Sequence, residues 1–64
     1  MVRINGENVE AGGKTLTEYL RLANYDSRTI VIELNEDIVS KTQYDDTILQ
    51  DGDIVEIISF MGGG

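Results

Sequence analysis

Apolar positions along this chain recur with two different periods, and the places where the period changes mark out its elements. "VRINGENVE" alternates around Asn5-Gly6, with Val2 and Ile4 on one face and Val9 joining them from the far side. Asn-Gly supplies two residues that tolerate positive φ, so the stretch predicts a hairpin of two short strands. "TLTEYLRLAN" switches to the helical period: Leu16, Tyr19, Leu20 and Ala23 fall at i, i+3, i+4 and i+7. Thr15 with Glu18 three residues on forms a capping box at its start, and Asn24 is the expected stop. Asp26-Ser27-Arg28 reads as loop, as does Ala11-Gly12-Gly13-Lys14 before the helix. Gly-Gly-Lys lacks the first glycine of a phosphate loop and is read as a turn.

"TIVIEL" returns to alternation, Ile30, Ile32 and Leu34 facing one way, Val31 and Glu33 the other. Asn35-Glu36 turns the chain into a short strand, "DIVS". "KTQYDDTIL" has no clean period; it predicts an irregular loop with one helical turn, and Ile48 and Leu49 tucked inward. After the "QDGD" turn, "IVEIISF" is a last strand that is apolar on both sides. Val55 and Ile57 share one face; Ile54, Ile58 and Phe60 share the other, with Glu56 among them. Strands covered on both faces read this way. One helix covers only one face, so Ile58 and Phe60 are expected at the surface, where an apolar patch beside the chain end reads as a binding surface. Five strands and one helix predict an α+β domain, a single sheet curled around the helix. The strand order does not follow from the pattern.

Composition narrows what such a domain can do. At 64 residues the chain is one domain with a marginal core, burying about 60% of its unfolded surface. It has no cysteine and no histidine, which removes thiolate chemistry, the usual general base and the commonest metal ligands. Asp45, Asp46, Asp51 and Asp53 lack calcium-loop spacing and read as turn residues, so no metal site is expected. A pocket large enough to enclose a substrate is hard to build in so small a chain, and an autonomous enzyme is not expected. Five basic against twelve acidic side chains give a net charge of −7, which repels nucleic acid and anionic membranes. The opening "MVRINGENVE" has no apolar stretch of signal-peptide or membrane-span length, so a cytoplasmic protein is the expectation.

The remaining candidate chemistry is at the carboxyl end, "FMGGG". Three glycines add nothing to a core and lose the most entropy on ordering, so residues 61–64 are expected as a mobile tail. Extended, Met61 to Gly64 would span roughly 13 Å, at about 3.3 Å per residue. Gly62, Gly63 and Gly64 would let the backbone enter a partner's active site, leaving the Gly64 carboxylate open to attack once activated. Against this stands an inert, floppy terminus, which Gly-rich ends often are.

"LNEDIVSK", followed by "LQDGDIVEIISFMGGG" at the end, resembles the ThiS family of bacterial sulfur carriers in thiamin thiazole synthesis. The likeness runs along essentially the whole chain. It implies a β-grasp, ubiquitin-like fold, with the last strand central in a mixed sheet. It also implies a function: a ThiF-like enzyme would adenylate Gly64 using ATP and magnesium. Sulfur from cysteine, passed through a cysteine desulfurase persulfide, would then leave a Gly64 thiocarboxylate for a ThiG-like thiazole synthase. Gly63 corresponds to the penultimate glycine of the family's ending. Ile58, Phe60 and Met61 are candidate anchors for partners with a basic docking face. One departure is Ser40, after Ile38-Val39, where ThiS-like chains often carry proline. A MoaD-like carrier serving molybdopterin or another sulfur pathway, a plain ubiquitin-like interaction module and a protein modifier remain open alternatives.

Overall fold

The computed structural model describes residues 1–60. Two tight turns set the sheet. β1 (Val2–Ile4) and β2 (Glu7–Val9) are joined by Asn5 at φ 50° and Gly6 at φ 83°, both left-handed, as the Asn-Gly pair predicts. β3 (Ile30–Leu34) and β4 (Asp37–Val39) are joined the same way by Asn35 and Glu36, at φ 51° and 76°. β5 (Ile54–Ser59) lies between the two hairpins, parallel to β1 and antiparallel to β3, giving the order β2-β1-β5-β3-β4. This mixed five-stranded sheet packed on one helix is the β-grasp arrangement expected from the resemblance.

The helix α1 (Leu16–Leu22) is short, and its ends are chemically defined. Thr15 accepts from the Glu18 N–H while the Glu18 carboxylate accepts from the Thr15 N–H, at 3.1 and 2.8 Å. Asn24, at φ 62°, ends it; the Tyr25 N–H returns to the Leu20 carbonyl and the Asn24 N–H to that of Arg21. Leu16 and Leu20 are buried against the sheet and Tyr19 is half-buried. Ala23, expected on the same stripe, is exposed, because the helix stops one residue before it and the chain turns away.

The core collects Val2, Ile4, Ile30, Ile32, Val55 and Ile57 from the inner sheet face, with Ala11, Leu16, Leu20, Tyr44 and Leu49 above them. Of the pair expected inward from the aperiodic segment, only Leu49 is buried. Ile48 is exposed, because residues 47–49 run as an extended strip bonded to residues 13–16 and neighbours in such a strip face opposite ways. The inward place falls to Tyr44, whose phenol is pushed above its ordinary pKa by burial. It follows a 3₁₀ turn (Lys41–Gln43), the expected single helical turn. A second 3₁₀ turn, Ser27–Thr29, occupies the expected loop and is capped by Asp26. Ser40 has φ −67° and ψ 141°, where proline's ring would place it, so the departure from the family leaves the backbone path unchanged. No helix among the described residues is long and apolar enough to cross a membrane.

Candidate functional site

β5 is the central strand, and the described chain ends one residue beyond it, at Phe60. Its hold on the sheet is asymmetric. On the β3 side it is paired from Leu34↔Val55 to Ile30↔Ser59, and the Phe60 N–H continues the ladder to the Thr29 carbonyl at 3.1 Å. On the other side β1 runs out at Ile4, opposite Val55. The Asn5 side chain extends the pairing by one step: its Oδ1 accepts from the Ile57 N–H at 2.7 Å and its Nδ2 donates to the Ile57 carbonyl at 3.4 Å. Asn35 does similar work at the strand's start, its Oδ1 accepting from the Ile54 N–H at 2.9 Å and its Nδ2 donating to Asp53 at 3.1 Å. Both turn asparagines thus have two roles, a left-handed backbone and a side-chain brace on β5.

The outer face of the sheet carries no covering element among the described residues. Ile54, Ile58 and Phe60 stand exposed along β5, as the alternation predicts, at 53%, 47% and 55% of full exposure. Ile38, on the edge strand, adds a fourth apolar side chain at 70%. Its place follows from the same alternation, since Val39 turns inward beside Ile32. Between these residues Glu33 and Glu56 lie directly opposite each other, and Ile38 is the next partner in the row. Like charges in that position repel across the strands. Neither carboxylate has an ion pair among the described residues. They share a shallow depression of about 460 Å³ with Asn35, Glu36 and Ile54. An exposed apolar strip crossed by unneutralised carboxylates suits a partner surface with apolar pockets and a cation.

The anchors read from the sequence therefore divide. Ile58 lies on this face, and Phe60 is exposed one residue past the end of β5. Met61, Gly62, Gly63 and Gly64, and with them the expected mobile tail, lie outside the described residues. Three features of the site were not read from the pattern: Ile38, the Glu33–Glu56 pair and Lys41. The Lys41 ammonium donates to the carbonyls of Ser27 and Ile30, the second at 2.7 Å. It also lies 5.8 Å from the ring centres of both Tyr44 and Phe60.

The described residues offer little else for chemistry. No three carboxylates among them are grouped to hold a metal ion. Asp26 is held below the ordinary carboxylate range by hydrogen bonds from Arg28, a local pair on an exposed turn. Tyr19 is raised by partial burial and by Tyr25 and Glu7 nearby.

Comparison with known proteins agrees with this geometry. A model of the ThiS family matches residues 2–64. The chain is 35% identical to the sulfur carrier protein ThiS of Bacillus subtilis, and 38% identical to that of Thermus thermophilus, over the full length of both partners in each case. It is also 39% identical to part of a thiazole synthase of Paramagnetospirillum magneticum, a match covering 95% of this chain and 19% of that one. The crystal structure of the ThiS protein of Geobacter metallireducens superimposes with a TM-score of 0.79 at 33% identity, covering 98% of this chain and 97% of the other. The chain belongs to the ThiS family.

Proposed function

We propose that this chain carries sulfur for the thiazole ring of thiamin, as a thiocarboxylate on Gly64. The observation that carries the reading is a likeness of 35% and 38% identity, end to end, to two sulfur carriers, joined to the likeness to a stretch inside thiazole synthases. Enzymes of that name that contain a carrier-like stretch support a ThiG-like synthase as the receiving partner. The body supplies a rigid central strand and a sticky outer face, and the reactive group is the carboxylate at the chain's end. The chain is a substrate, consumed and regenerated, rather than a catalyst.

A carboxylate does not accept a sulfur nucleophile unaided. In the proposed sequence a ThiF-like enzyme, with ATP and magnesium, joins the Gly64 carboxylate to AMP and releases pyrophosphate. A persulfide drawn from a cysteine desulfurase attacks the acyl carbon through its terminal sulfur, and AMP leaves. A thiol then attacks the inner sulfur of the resulting acyl disulfide, forming a new disulfide and freeing the thiocarboxylate. Lack of a side chain on Gly64 leaves the acyl carbon open on both sides. The net negative charge and the Glu33–Glu56 pair suit encounter with a basic docking face, and Ile54, Ile58 and Phe60 are the apolar anchors. The test is intact mass after incubation with ATP, magnesium, a ThiF-like enzyme, a desulfurase and cysteine. Exchange of one oxygen for sulfur is expected; an unchanged mass with an activating enzyme proven on another carrier refutes the proposal.

A further inference from the structure

Phe60 is the residue from which the described chain passes into the glycine end, yet burial does not hold it. Beyond Ile57 the strand has no brace on the β1 side, since β1 and the Asn5 side chain are both used up. What remains is the β3 side: the pairing of Ile58 and Ser59 with Val31 and Ile30, and past it the bond from the Phe60 N–H to Thr29, on the junction between the Ser27–Thr29 turn and β3. That junction is pinned by Lys41, through the carbonyls of Ser27 and Ile30 on either side of Thr29. The same ammonium stands 5.8 Å from the Phe60 ring, and at an equal distance from the ring of Tyr44, which is buried in the core. Cation–ring attraction operates at this range. Lys41 thus connects the interior, the junction and the root of the glycine end through one charge.

We propose that Lys41 is a positioning residue for the proposed reaction, holding Phe60 so that residues 61–64 start from a fixed point on the sheet. The inference rests on the sulfur-carrier reading. It adds to that reading a residue that touches no reacting atom and acts through Phe60. Releasing the root leaves the chemistry of Gly64 unchanged but adds conformations that must be lost on productive docking. Freeing one residue's backbone corresponds to about a 5- to 30-fold loss of apparent affinity.

The test compares K41M, which keeps the aliphatic stem, with K41R, which keeps charge and donors. In the free protein, the amide ¹⁵N–¹H nuclear Overhauser effect of Phe60 is expected to fall in K41M and to stay at the wild-type value in K41R. In adenylation by a ThiF-like enzyme, K41M is expected to raise KM for the carrier about 5- to 30-fold, with kcat within about twofold. K41R should restore KM. A structural role alone would instead lower the melting temperature and leave KM of the folded fraction unchanged. K41Q, which keeps a donor but no charge, carries the same test if K41M does not fold. An unaltered Phe60 amide or an unaltered KM overturns the inference. The two readings fail separately: a wild-type chain that is never adenylated sinks the function, while the Phe60 amide still judges Lys41.

Discussion

Replacing Asn5 tests whether the central strand depends on a side chain from a turn. Asn5→Ala removes both bonds to Ile57, at 2.7 and 3.4 Å, and leaves a half-buried N–H and carbonyl of β5 without partners. A stranded backbone group of this kind costs about 1–3 kcal/mol. Alanine must also hold φ near 50°, which adds about 1–2 kcal/mol. The sum, about 2–5 kcal/mol, is large for a chain of 64 residues, whose whole stability is expected at about 3–10 kcal/mol. Asn5→Gly separates the two costs, because glycine takes the left-handed conformation freely and still lacks the amide. Urea unfolding followed by circular dichroism gives both numbers, and hydrogen exchange at the Ile57 amide gives the local one. With a slope near 1 kcal/mol per molar urea, the alanine variant should lose about 2 M or more in midpoint. The glycine variant should fall between it and the parent, and Ile57 should exchange early in both. If Asn5→Gly stays within about 0.5 kcal/mol of the parent while Ile57 keeps its protection, the bracing argument is wrong.

The other consequences are smaller and separately measurable. Glu56→Gln removes the repulsion with Glu33 and should stabilise the fold by about 0.2–1 kcal/mol, more at low salt than at high. Urea midpoints at two ionic strengths check it, and a destabilised variant would contradict it. Tyr44 keeps its proton more tightly in the folded chain than unfolded, so above about pH 10 the unfolded state binds fewer protons and stability falls as pH rises. Tyr44→Phe should flatten that alkaline decline, leaving the part due to Tyr19; profiles that run parallel from about pH 8 to about pH 11 would refute it. Ser40→Pro should raise stability by less than about 1 kcal/mol, since φ is already −67° and the side-chain bonds lost are two exposed ones to Thr42, from its N–H at 3.4 Å and with its hydroxyl at 2.9 Å. A loss beyond about 1 kcal/mol would mean that the Ser40 N–H or the strand before it is needed.

What could be read from the chain was whatever local chemistry decides. Asn5-Gly6 turns because of its own backbone preferences, Asn35 brings the same tolerance of positive φ to the second turn, and Thr15 with Glu18 caps the helix across three residues. Outward Ile58 and Phe60 followed from strand alternation and from there being one helix to cover two faces. What was hidden depends on partners far apart in sequence. The Asn5 amide meets Ile57 across 52 residues, and no local rule announces it. Lys41 reaches Ser27 and Ile30 from a turn whose course no period reveals. Tyr44 enters the core for the same reason, and Ile48 leaves it because Leu49 takes the inward position in an extended strip. The repelling pair Glu33 and Glu56 became visible only when the register of β3 on β5 was known. Of the candidate site, the outer face was legible and its acidic centre was not.

The division of labour between a folded body and a reactive end makes the account open to one direct measurement. A chain lacking Gly64 should unfold in urea at the same midpoint as the parent, because the core and the sheet are built from residues 1–60. Offered to the ThiF-like enzyme with ATP and a sulfur source, it should gain no sulfur by intact mass under conditions that fully convert the parent, its carboxylate ending about 3.3 Å short. Sulfur gained at the parent's rate, or a shortened chain that no longer folds, would contradict the account.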